Sequence, residues 1–567
     1  MRELLQNIYG KSKATLAEKR IDEQIKAFSK QKGAGQRLGF SETDAILITY
    51  GDTLFHDQEP PLQSLAQFMR KHLKAVFTGL HILPFYPFSS DDGFSITDFF
   101  QVRPDLGTWQ DIRALGTEFR LMVDLVANHV SAQSGWFKSY LAEESGFEDL
   151  AIAVEPETDL SSVTRPRSHP LLSPFDKQSG ERVHVWTTFS DDQIDLNYAS
   201  LDVLENMVRV LLFYISQGAT IIRLDAIAYL WKEVGTSCIH LPQTHEIVRL
   251  FRNILDQVAP EVTLITETNV PHDENISYFG NGFDETQMIY NFSLGPLLLH
   301  ALSTGSAQLL SDWCQDLSTP SDQTTFFNFT ASHDGIGVRP LEGILDTSEI
   351  NHLIDRMRRN GAHVSMRRQT DGSEVPYEIN ITYFDALTDP DLAPDPHHIP
   401  RFLASQAVAQ VLPGVPAVYI HCLLGSRNWT EGVSLTGRAR SINRQQLSAD
   451  FVINEIENPE SERGKVFQSY RHMIKVRRRQ VAFHPNAASQ VLQLDDRIFT
   501  LKRIHPDQTI WTLTNMSSDY LSIDLYNETA TSEIKDLLSG RQFSTDSVNL
   551  GPYDVLWLVS QSSEKIT

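Results

Sequence analysis

The chain has 567 residues, 41% of them hydrophobic and 10% aromatic, and a formal charge of −23 from 49 Lys and Arg against 72 Asp and Glu. That apolar share argues against disorder, and the negative charge makes nucleic acid and anionic membrane surfaces poor partners. The cysteines Cys238, Cys314 and Cys422 lie far apart without a C-x-x-C pair, which argues against a disulfide framework or thiolate zinc site and fits a reducing compartment.

In chain order, residues 1–40 read as a helical N-terminal extension, with Ile21, Ile25 and Phe28 at helix spacing. No secretory leader is visible there, and no apolar run approaches the roughly twenty residues of a membrane span. A cytoplasmic monomer or homodimer is expected. Eight short apolar runs follow: Ala45–Tyr50, Val76–Leu83, Leu121–Val126, Ala219–Leu224, Val262–Thr266, Met288–Phe292, Thr325–Thr330 and Pro416–Ile420. Longer segments with helical periodicity separate them, the pattern of parallel strands buried on both faces. The expectation is an α/β fold, a (β/α)8 TIM barrel over residues 41–485. Two excursions, 131–197 after the third run and 336–400 after the seventh, read as inserted subdomains that wall the barrel mouth. Residues 486–567 turn to alternating, β-branched sequence and read as a C-terminal antiparallel β-domain.

In such a barrel function sits at the C-terminal strand ends, where Asp124, Asp225, Glu267 and His333-Asp334 fall. Arg223 and Asp225 are two residues apart on one strand, hence on one face, and the arginine would keep the carboxylate ionised as a nucleophile requires. Glu267 closes the next strand after Leu264 and Ile265, an apolar setting that raises the pKa of an acid. Two facing carboxyls about 5–5.5 Å apart are what a retaining glycosidase needs. Asp334 would stabilise an oxocarbenium-like transition state. Singly, each residue also fits a plain structural role, as an ion pair or a helix cap.

The segments Asp124-Leu-Val-Ala-Asn-His129, Arg223-Leu-Asp225, Thr266-Glu267-Thr268 and Ser332-His333-Asp334 resemble the four signature regions of the α-amylase family, glycoside hydrolase family 13. That resemblance implies Asp225 as nucleophile, Glu267 as acid/base and Asp334 as stabiliser, with His129, Arg223 and His333 contacting a glucosyl unit. Further stretches, among them Asp92-Gly-Phe94, Arg165-Pro-Arg167, Lys232-Glu-Val-Gly-Thr-Ser-Cys238 and Ser441-Ile-Asn-Arg444, are similar to the sucrose phosphorylase branch. The branch implies Asp91 and Phe94 in the glucose subsite, Tyr229 as an aromatic wall and Arg440 as a polar contact. It also implies phosphorolysis to α-glucose 1-phosphate, with inorganic phosphate as co-substrate. Arg165 and Arg167 are the phosphate candidates, since the arginine fork matches phosphate bidentately.

Two positions depart from the sucrose-cleaving pattern: Asn269 stands where a histidine is usual, and Tyr377-Glu378 where a glutamine is usual. Both resemble the glucosylglycerate phosphorylase group, so Asn269, Tyr377 and Glu378 are expected at the acceptor end. A glycerate acceptor near Glu378 would need cations, for which Arg165, Arg167, Arg339 and Arg427 are available. Glucosylglycerol or sucrose phosphorolysis, hydrolysis or transglucosylation, and an inactive binding barrel are the rivals. No metal site and no cofactor are expected. Gly10-Lys11-Ser12 lacks the earlier glycine of a phosphate loop, and His397-His398 reads as a solvated pair in a proline-flanked loop.

Overall fold

The computed structural model describes residues 1–29, 39–369, 372–529 and 531–560. Each of the eight apolar runs forms a strand: β1 (Ile46–Thr49), β2 (Gly79–Ile82), β3 (Arg120–Leu125), β4 (Ala219–Leu224), β5 (Thr263–Thr266), β6 (Met288–Tyr290), β7 (Thr325–Phe329) and β8 (Val415–Tyr419). They pair in parallel in chain order, and β8 closes on β1 with Ile46 opposite Ala417. Nearly every strand residue is buried, because barrel side chains fill one face and helices cover the other.

The N-terminal helix α1 (Arg2–Ser29) packs on α2 (Leu201–Ser216) and α3 (Pro242–Val258), the helices flanking β4. Gly10, with φ 75°, kinks α1, so the glycine of the Gly10-Lys11-Ser12 match serves a bend in a helix. The last part of the expected helical extension, residues 30–38, lies outside the described residues.

The first excursion holds short hairpins, including Leu172–Asp176 against Arg182–Trp186. The second holds α4 (Thr347–Arg359) and a hairpin of His363–Arg368 with Glu374–Asn380. His398 departs from the solvated expectation: it begins the helix His398–Val411, is 5% exposed, and donates from Nε2 to the Phe384 carbonyl at 2.7 Å. Beyond Ala488 a six-stranded antiparallel sheet forms, with its own apolar core around Leu513, Ile534 and Leu556.

Candidate active site

The register of β4 and β5 sets the two central carboxyls side by side. Leu224 lies opposite Thr266, so Asp225 and Glu267 are the next pair beyond the ladder. Backbone bonds hold both ends, from Asp225 N–H to the Leu125 carbonyl at 3.2 Å and from Glu267 N–H to the Leu224 carbonyl at 3.1 Å. Arg223 serves both unequally: Nη1 is 2.7 Å from Asp225 Oδ1, whereas Nη2 is 3.8 Å from Glu267 Oε2. Ala226 sits in the left-handed region at φ 48°, and its N–H donates to Glu267 Oε2 at 3.1 Å.

Burial raises both carboxyls of the Asp225–Glu267 pair above the ordinary range, helped by the charge of Glu267 on Asp225 and of Asp334 on Glu267, against the pull of Arg223. The pair therefore keeps a proton to higher pH than a free carboxyl. The shorter Arg223 contact favours charge on Asp225 over charge on Glu267.

Asp334, beyond β7, behaves oppositely. Burial would raise it, but Arg440 Nη1 at 2.6 Å and Arg444 Nη2 at 3.6 Å outweigh burial and hold it below the ordinary range. Arg440 also grips Glu378 through Nε at 2.9 Å and Nη2 at 2.6 Å, and Glu378 is lowered in the same way. His129 and His333 are buried and lowered chiefly by desolvation, His333 also by Arg444, so both are neutral. His333 stacks on Phe94, with centroids 4.8 Å apart and planes 5° apart.

These groups line a cavity of about 740 Å³ that opens to solvent. Asp91, Phe94, His129, Arg167, Asp225, Tyr229, Glu267, Asn269, His333, Asp334, Tyr377, Glu378 and Arg440 all line it. Gly335 and Gly337 permit the close approach of the second excursion: a Cβ at either would fall on Glu378 or Asn269.

Two sequence-derived site residues lie elsewhere. Arg223 is 1% exposed and is not among the residues lining the cavity; its Nη1 is shared by Asp124 and Asp225. Arg165 diverges from Arg167 and faces a separate cavity. Arg427 is also remote, paired with Asp385 and Glu462, and Arg339 pairs with Glu274.

The cavity also has walls that the sequence did not reveal. Phe189 stands edge-on to Tyr229 at 5.4 Å, and Gln193 Nε2 donates to Asp91 Oδ2 at 3.3 Å. Buried Lys232 joins Asp195 at 2.6 Å and Asn128 at 2.7 Å, tying the segment after Asp225 to the first excursion. Lys232 opens the stretch Lys232-Glu-Val-Gly-Thr-Ser-Cys238, but nothing in the spacing pairs it with Asp195. Among the described residues no group of three or more His, Cys, Asp or Glu is placed to hold a metal ion.

A closed parallel barrel with three acids and their arginines at its strand ends defines a glycoside-active barrel of the α-amylase class. Residues 71–335 match the α-amylase catalytic domain. The chain is 45% identical to the glucosylglycerate phosphorylase of Spirochaeta thermophila, over 98% of each chain. It is 43% identical to that of Escherichia coli, again over 98% of each. The crystal structure of sucrose 6F-phosphate phosphorylase from Thermoanaerobacter thermosaccharolyticum superposes with a TM-score of 0.75 at 26% identity, covering 91% of this chain and 99% of that one. The chain belongs to the sucrose phosphorylase branch of the α-amylase family, alongside the glucosylglycerate phosphorylases.

Proposed function

We propose that this chain is a retaining α-glucosyl phosphorylase that converts 2-O-α-glucosylglycerate and inorganic phosphate, reversibly, into α-glucose 1-phosphate and glycerate. One observation carries the reading: Asp225 and Glu267, neighbours at adjacent strand ends, share Arg223 unequally, in a chain similar along nearly its whole length to glucosylglycerate phosphorylases.

Ionised Asp225 attacks the anomeric carbon as the bond to the glycerate oxygen breaks, and Glu267 gives its proton to that oxygen. The resulting glucosyl ester on Asp225 is attacked by phosphate, whose proton returns to Glu267. Asp334, held ionised, faces the positive charge that develops on the ring in both steps. Asp91, His129 and His333 hold the glucosyl hydroxyls, with Phe94 and Tyr229 as apolar walls. These side chains supply every step, without a metal or cofactor.

Asn269, Tyr377 and Arg167 form the acceptor end. Both glycerate and phosphate are anions, and the cavity wall carries two arginines, Arg167 and Arg440. Arg440 spends all three nitrogens on Asp334 and Glu378. Arg167 has no carboxylate partner among the described residues; it lies over the rings of Tyr377 and Phe189, at 5.1 and 5.9 Å. Arg167 therefore binds the two anions in turn. Glu378 is already neutralised by Arg440 and does not oppose glycerate. A cytoplasmic location belongs to the same proposal, since phosphorolysis needs a phosphate pool and the three cysteines are unpaired.

The test runs the reaction backwards. α-Glucose 1-phosphate is supplied with glycerate, glycerol, fructose or fructose 6-phosphate, and phosphate release is followed. Glycerate is expected to outpace the rest. Faster release with fructose or glycerol would overturn the acceptor, and one slow rate in every tube would overturn phosphorolysis in favour of hydrolysis.

A further inference from the structure

The tripeptide Arg165-Pro166-Arg167 sends its two arginines to different places. Arg167 reaches the catalytic cavity, whereas Arg165 lines a second cavity of about 1140 Å³ between the two excursions. The first excursion contributes Ser161, Thr164 and Arg165, and the hairpin of the second contributes Arg367 and Arg368. Among the described lining residues there are three arginines and no carboxylate, in a chain whose net charge is −23.

Few of these donors are satisfied. Arg165 gives one nitrogen to the His169 carbonyl. Arg367 pairs with Glu342 at 2.8 Å, while its Nε is buried without a partner. The exposed Arg368 side chain has no hydrogen bond or ion pair among the described residues. Burial and the like charge of Arg368 together lower the affinity of the Arg165 guanidinium for its proton. Arg165 and Arg368, like charges with no carboxylate partner among the described residues, repel one another, and an anion between them reverses the sign of that energy. Arginine forks with nearby hydroxyls suit the oxygens of a phosphate group.

We propose that this cavity is a second anion site, separate from the catalytic one, that takes inorganic phosphate or a small phosphate ester and ties the two excursions together beside the segment carrying Arg167. The site stands on this geometry alone and does not depend on which acceptor the catalytic cavity uses.

The experiment removes the catalytic anion contact first. In an Arg167→Ala background, thermal unfolding is followed against inorganic phosphate or glycerol phosphate, with chloride holding ionic strength constant. A ligand that binds the folded state raises Tm by mass action. Tm is expected to rise with at least one of the two probes, and the tighter probe identifies the free ion or the ester as occupant. Adding Arg368→Ala, or Arg165→Ala, is expected to shift the midpoint about tenfold or more towards higher ligand. Arg368 is exposed, so its variant does not depend on repacking. A flat response to both probes in Arg167→Ala, or an unchanged midpoint in the Arg165 and Arg368 variants, would overturn the proposal.

Discussion

Arg440 and Glu378 meet as two planar groups edge to edge, with both carboxylate oxygens of Glu378 accepting from the guanidinium at 2.9 and 2.6 Å. Glu378 is 2% exposed, so its charge is usable only because Arg440 is there. Glu378→Gln replaces one acceptor oxygen by a donor that faces an arginine N–H. Stability is expected to fall by about 1–3 kcal/mol, measured by urea unfolding. Wild-type stability in this variant would contradict the clamp.

The proton shared by Asp225 and Glu267 makes activity pH-dependent on the basic side. Loss of that proton, above the ordinary carboxylate range, removes the general acid. Glu267→Gln is therefore expected to lower kcat for glucosylglycerate by about 10²-fold or more and to flatten the basic limb. α-Glucosyl fluoride, whose leaving group needs little protonation, should lose far less in glucosyl-enzyme formation. Equal losses with both substrates would argue against Glu267 as the acid.

Arg167→Ala tests the shared anion contact. KM is expected to rise for phosphate in one direction and for glycerate in the other, each by about tenfold or more. Hydrolysis of α-glucosyl fluoride should persist. A rise for phosphate alone would mean that glycerate is held by a different group.

Burial at the end of β8 predicts an acid-sensitive fold. His421 is wholly buried, bonded to Ser426 Oγ at 2.9 Å, and its pKa is lowered to about 3 by desolvation and then by Arg463. The unfolded chain binds this proton near pH 6.5 and the folded one does not, so stability falls as pH drops from about 6.5 towards 3, by about 1.4 kcal/mol per unit at most. His421→Gln is expected to reduce that slope in denaturant titrations between pH 6 and 4. An unchanged slope would show that His421 titrates in the folded state.

Much of this architecture is legible in the sequence because a barrel strand is buried on both faces. Runs such as Ala219–Leu224 are continuous and apolar, and their polar ends mark the mouth. The carboxylates are legible for the same reason: each follows such a run. Contacts between chain segments are not. Alternation placed Arg223 on the face of Asp225, but not that Asp124, opposite it on β3, would share its guanidinium. Nor does a three-residue loop reveal that Arg165 and Arg167 face different cavities. Lys232 and Asp195 meet only through the fold, and no periodicity connects them.

The decisive species is a covalent glucosyl group on Asp225, formed from glucosylglycerate in one direction and from α-glucose 1-phosphate in the other. The most direct measurement is intact-protein mass spectrometry of the Glu267→Gln variant exposed to α-glucosyl fluoride, followed by peptide mapping. A mass increase of one hexosyl residue is expected, located on Asp225 and absent in Asp225→Asn. No adduct, or one on another residue, would contradict it.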